Sequence, residues 1–92
     1  MSWREFRKRR EGVEHALDGG MWLHRWRLDT RPMAHLVSSD KNQLLAWGRE
    51  HGMDARWIQF KPLKDPRTGR RVDAWHWDLF EPDIPARERE PY

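Results

Sequence analysis

Met21-Trp22-Leu23-His24-Arg25-Trp26-Arg27-Leu28 alternates in character along its length, and that alternation decides the fold class. Successive side chains of a strand point to opposite faces, so Trp22, His24, Trp26 and Leu28 share one side while Leu23, Arg25 and Arg27 take the other. Downstream, Asp29-Thr30-Arg31-Pro32 has turn chemistry, and Ala34-His35-Leu36-Val37-Ser38 reads as a short second strand. Ser39 or Asp40 then caps a helix, with Asp40 and Gln43 at the spacing of a capping box. Leu44, Leu45, Trp47, Gly48 and His51 supply that helix's buried side, and Gly52 ends it. Trp57-Ile58-Gln59-Phe60-Lys61 is a third strand, limited by Pro62. The turn residues Asp65-Pro66-Arg67-Thr68-Gly69 lead into a fourth strand, Val72 to Phe80, as a hairpin with a basic tip.

Working back toward the N-terminus, Ser2 to Asp18 reads as a helix. Ser2 and Glu5 have capping-box spacing, and Trp3, Phe6, Val13 and Leu17 keep to one stripe. Arg7–Glu11 and Arg10–Glu14 lie four residues apart, Gly12 weakens the middle, and Gly19-Gly20 stops the helix. Basic charge at a helix start opposes the macrodipole, which hints that these arginines face a partner. The expected architecture is α+β, a small mixed sheet of about four strands in the order α-β-β-α-β-β. It divides into a basic amphipathic helix over 1–20, a core domain over 21–80 and a flexible Pro- and charge-rich tail over 81–92. No internal repeat is visible.

Composition narrows the functional classes. The chain of 92 residues is enough for one domain. Seven Trp and three Phe offset a charged fraction of 36% that would otherwise suggest disorder. Trp22, Trp26, Trp47, Trp57, Trp75 and Trp77 are expected in the core, while Trp3 stands apart on the terminal helix. The absence of Cys excludes disulfides and thiolate metal sites. No apolar run approaches a membrane span and the N-terminus lacks the apolar region of a signal peptide, so a cytoplasmic location is expected.

The middle of the chain also carries an ordered set of short motifs. They are His35-Leu36-Val37, the helix with Leu44-Leu45-Ala46, Gly52-Met53, Arg56-Trp57-Ile58-Gln59 and His76-Trp77-Asp78-Leu79. Over roughly residues 21 to 80 the chain resembles the uncharacterised bacterial and phage family called domain of unknown function 4031. Members of that family read like a His-Leu-Val strand, a Leu-rich helix ending in Gly, an Arg-x-Trp-Phe-Gln strand and a His-Tyr-Asp-Leu strand. Two departures stand out. This chain adds the segment Ser2 to Asp18 before the first strand, and it has Pro82-Asp83-Ile84-Pro85 where the family continues into an Ala-rich helix. The resemblance implies a fold and a set of positions, and no activity.

The period of two places His76 and Asp78 on one face of the fourth strand, with Trp75, Trp77 and Leu79 on the other. His35 shares a face with Val37, and Gln59 points opposite to Ile58 and Phe60. If the strands are neighbours, His35, Gln59, His76 and Asp78 converge on the side of the sheet away from the indoles, with Asp40 at the nearby helix start. Three readings follow. The residues can simply satisfy one another's hydrogen bonds. Alternatively His35, His76 and Asp78 can hold a divalent metal or act as catalytic residues of a metal-dependent hydrolase or phosphodiesterase. The third reading is a ligand- or phosphate-contacting surface. No HExxH spacing, zinc finger, helix-turn-helix, phosphate-cradling Gly-rich loop or Ser-His-Asp order is present.

Charge distribution points to a partner. The formal charge is only +3, but Arg4, Arg7, Lys8, Arg9 and Arg10 crowd the start, and Lys61, Lys64, Arg67, Arg70 and Arg71 crowd a second segment. Such clusters favour nucleic acid or an acidic protein surface, and equally serve as solvated faces. The leading expectation is a non-enzymatic binding module that engages nucleic acid through the Arg-rich helix and the basic hairpin. A modulator docking on a host protein, suggested by the short length and phage family context, is a further expectation. No cofactor is expected beyond that metal.

Overall fold

In the computed structural model, which describes residues 2–86, the chain passes through β1 (Trp3–Arg4), α1 (Arg9–Leu17), β2 (Met21–Leu28), β3 (Arg31–Ser38) and α2 (Lys41–Glu50). A 3-10 turn over Ala55–Trp57 precedes β4 (Gln59–Phe60), β5 (Leu63–Lys64), β6 (Arg71–Val72) and β7 (Trp75–Phe80). The mixed α and β character is as expected. The main sheet has five strands in the order β1-β2-β3-β7-β4, and β5 and β6 form a separate two-stranded hairpin. Among the described residues only β1 is parallel to its neighbour, β2.

The alternating segment becomes β2 over its full length. It folds back antiparallel onto β3 through Asp29-Thr30, with Asp29 at φ 58. The second strand begins at Arg31, earlier than Ala34 as expected, because a two-residue turn brings Leu28 directly opposite Arg31. The alternation now has a visible consequence. Met21, Leu23, Ala34, Leu36, Trp77 and Leu79 enter one buried cluster with Leu44 and Trp47 of α2. On the opposite face, Trp22 and Val37 form a smaller buried cluster with Val13 and Ala16 of α1. The two helices therefore cover opposite sides of the sheet. Helix α1, however, reaches only one end of its side.

The N-terminal expectation is corrected. Ser2 caps nothing: residues Trp3–Arg4 pair with Met21 and Trp22 as a strand, and the helix starts only at Arg9. Trp3 packs against the larger core cluster, and the Arg25 guanidinium stacks over it at 5.6 Å. Glu5 accepts a hydrogen bond from Arg25 on β2. Tertiary burial of Trp3 thus overrides the local helical pattern, and α1 becomes the crossover between two parallel strands. The helix then stops as expected at Gly19, whose φ of 95 suits a left-handed cap.

Two strand boundaries are also corrected. The Asp54 carboxylate accepts from the Arg56 backbone N–H at 2.9 Å and starts the 3-10 turn, so Trp57 leaves the third strand and only Gln59–Phe60 pair with β7. The expected strand from Val72 to Phe80 breaks at Asp73-Ala74. Its first part joins the basic hairpin and its second lies inside the main sheet. Of the six tryptophans expected in the core, Trp22, Trp47 and Trp77 are buried. Trp26 and Trp75 are half-buried, and Trp57 is 59% exposed because the turn lifts it off the sheet.

Residues 81–86 of the expected tail return to the domain, where Ile84 packs against the core and the Pro85 carbonyl accepts from Arg25. The rest of that tail lies outside the described residues. Among the described residues no helix is long and apolar enough to cross a membrane.

Candidate functional site

Strand pairing builds the site. Across the antiparallel β3–β7 pair, His35 sits opposite Asp78 and Val37 opposite His76. On the far side of β3 His24 faces His35, and on the far side of β7 Gln59 faces His76. Opposed residues in adjacent strands project to the same face. All of these side chains therefore emerge on the α1 side of the sheet, on the portion that α1 leaves uncovered.

The geometry is close. His35 Nε2 lies 2.6 Å from Asp78 Oδ1, and His76 Nε2 lies 3.3 Å from the same oxygen. Gln59 Nε2 donates to the other carboxylate oxygen, Oδ2, at 2.5 Å. The His35 and His76 rings sit 4.4 Å apart, and Trp26 meets His35 edge-on at 4.5 Å. His76 is buried, whereas His35, Gln59 and Asp78 keep contact with solvent. Burial pushes both imidazoles below their ordinary value. For His35 the neighbouring His76 adds to that effect, and for His76 the charge of Lys61 does; Asp78 pulls each the other way. Both rings are therefore mainly neutral near pH 7. The sequence-expected quartet of His35, Gln59, His76 and Asp78 is thus brought together.

Asp40 is not part of it. Its carboxylate accepts from Gln43 N at 3.1 Å and caps α2, which packs on the opposite side of the sheet. The expectation that the indoles would all lie on the far side also fails. Trp22 and Trp26 alternate in phase with His24 and so stand on the same side as the cluster.

Two clefts meet at this cluster. One, of about 240 Å³, is bordered by Arg9, Trp22, His24, Trp26 and Lys61 and has His35 and His76 in its wall. The other, of about 430 Å³, is bordered by Met53, Arg56, Trp57 and Phe80 and has Gln59 and Asp78 in its wall. The His–Asp cluster forms the ridge between them. Sequence reasoning missed the part played by His24, Trp26, Trp57 and Phe80. The in-phase placement of His24 and Trp26 on β2, and of Phe80 two residues after Asp78 on β7, could have signalled part of it.

The basic residues divide. Arg4, Arg7, Lys8, Arg9, Arg10, Lys61, Lys64, Arg70 and Arg71 are all exposed. Arg9 lies over the Trp22 ring at 5.6 Å, so one cation from each sequence cluster reaches the first cleft. Arg4 stacks on Phe6 at 5.0 Å, and Arg10 pairs loosely with Glu14 at 3.9 Å. Arg67 is also exposed, but it is engaged in ion pairs within the fold. Its guanidinium bridges Asp18 at 3.0 Å and Asp65 at 3.1 Å and thereby ties the hairpin tip to the end of α1.

That bridge has a pH signature. Hydrogen bonds from Arg67 hold the Asp18 and Asp65 carboxyls below the ordinary value of 3.8. A carboxyl with a depressed folded-state value stabilises the fold fully above its unfolded value, and that contribution is lost as pH falls through the folded one. Urea midpoints measured at about pH 6 and about pH 3 should therefore fall further in the wild type than in Arg67→Ala. Equal falls would show that the bridge does not couple folding to pH.

No protein-family model, curated protein or solved structure matches the chain, so its functional reading rests on this geometry.

Proposed function

We propose that the chain is a non-enzymatic module that binds single-stranded nucleic acid across the uncovered half of its sheet. One observation carries the reading: large exposed aromatics border the second cleft, and exposed cations border both clefts. Trp57 is 59% and Phe80 54% exposed, an expensive arrangement in a small domain without a ligand to stack on them. Bases stack on such side chains whatever their sequence, while lysines and arginines follow the phosphates. Arg9 and Lys61 border the first cleft, and Arg56 borders the second while paired with Asp54 at 2.7 Å. The exposed cations of the Arg-rich N-terminal segment and the hairpin, Arg67 excepted, follow the phosphates, and the sheet is the centre of binding.

Fluorescence anisotropy with labelled single-stranded DNA and RNA, in chelator and at two salt concentrations, tests this. Contact with about five phosphates predicts a slope of log affinity against log salt near −3.5, or about a hundredfold loss between roughly 50 and 200 mM salt. Trp57→Ala and Phe80→Ala should each weaken binding by about 1–3 kcal/mol. Both side chains are mostly exposed, so neither change should disturb the fold. Failure to bind either nucleic acid at about 10 μM protein and low salt, or full affinity in the double variant, would remove the proposal.

A further inference from the structure

The geometry points to a binding site for one divalent first-row transition-metal ion, held by His35 Nε2, His76 Nε2 and Asp78 Oδ1 on the ridge between the two clefts. The candidate ligand atoms of these three residues all lie within 4.8 Å of one another. Two of the separations are 2.6 and 3.3 Å. An ion about 2.0–2.2 Å from each of three such atoms needs them roughly 3–3.5 Å apart. Small side-chain rotations bring the set to that spacing.

Three further observations favour an ion over a hydrogen-bonded cluster alone. First, the ligands come from two directly paired strands, with His35 opposite Asp78 and His76 two residues before Asp78 on the same face. A sheet holds donors more rigidly than a loop does. Second, Gln59 occupies Oδ2 of Asp78 and leaves Oδ1 toward both imidazoles, which is how an outer hydrogen bond aims a ligating carboxylate. Third, the ridge opens onto clefts on either side, so a three-ligand site keeps positions for water or for an oxygen of a bound molecule.

The donor set selects the ion. Two imidazoles and a carboxylate suit zinc, cobalt, nickel, iron or manganese, whereas magnesium and calcium prefer all-oxygen surroundings. On binding, each imidazole carries its proton on Nδ1 and presents Nε2 to the ion in place of its contact with Asp78. A dication beside one carboxylate leaves a net positive site next to Arg9 and Lys61. Its extra ligand would therefore be an anion such as a phosphate oxygen.

The test uses chelator-treated full chain without nucleic acid, titrated with Zn²⁺ by calorimetry and with Co²⁺ by visible absorption. One ion should bind per chain, and bound Co²⁺ should give the intense d–d bands of a low-coordinate site. His35→Ala, His76→Ala and Asp78→Ala should weaken binding by more than about tenfold, and Gln59→Leu by about tenfold. His51→Ala, at the C-cap of α2, should leave it unchanged. His35→Gln and Asp78→Asn conserve size and polarity, so they report lost ligation even where an alanine variant fails to fold. Absence of saturable Zn²⁺ and Co²⁺ binding up to about 100 μM, or undiminished affinity in both conservative variants, would overturn the site. Nucleic-acid binding is measured in chelator, so the failure of one proposal is distinguishable from failure of the other.

Discussion

Trp77→Ala is expected to lower the unfolding free energy by about 3–5 kcal/mol. Trp77 is 1% exposed, projects from β7 into the larger core cluster and donates its indole N–H to the Leu44 carbonyl of α2 at 2.8 Å. Truncation removes a fully buried indole, leaves a cavity between sheet and helix, and deletes a hydrogen bond inside it. A domain of this length has a total stability on the order of 5–14 kcal/mol, so the variant should be at or near the edge of folding. The measurement is a urea or guanidinium midpoint followed by far-ultraviolet circular dichroism. Trp77→Phe keeps most of the apolar volume and should lose distinctly less. A loss below about 1 kcal/mol for Trp77→Ala would show that α2 does not dock through this residue.

The second large effect runs against helix propensity. Gly12→Ala, in the middle of α1, would stabilise an isolated helix by about 1 kcal/mol. In the folded chain it should destabilise by about 1–3 kcal/mol. A Cβ at Gly12 would stand 2.1 Å from Cε2 of Trp22, and that residue is only 3% exposed. Either the ring leaves its rotamer or α1 lifts from the sheet. The same displacement moves Arg9, which lies over Trp22 at 5.6 Å, so the proposed nucleic-acid binding should weaken together with stability. A thermal midpoint raised by Gly12→Ala would mean that the helix is not seated on Trp22.

These two residues also mark how far the sequence could be read. Periodicity sorted side chains onto faces within each strand, because alternation is a property of a single extended segment. That is why His76 and Asp78 were separable from Trp77 and Leu79 before any pairing was known. Capping and turn chemistry are equally local. Asp40 starts α2, and the Asp65–Gly69 turn closes the hairpin, through hydrogen bonds within a few residues. Gly12 carried the opposite message from its true one, since its reason is a ring ten residues away in sequence and in contact only after folding.

What the chain determined by itself is therefore the set of elements around Met21–Leu28, their inward and outward residues, and the shared phase of His35, His76 and Asp78. The tertiary structure alone decided which strands are neighbours. That choice set His35 across from Asp78, turned Trp3–Arg4 from helix into strand, put Asp40 behind the sheet and set Arg67 against two aspartates. The physical reason is one of range. Backbone period and capping act over a few residues, whereas register and helix placement follow from how distant apolar side chains can be buried together.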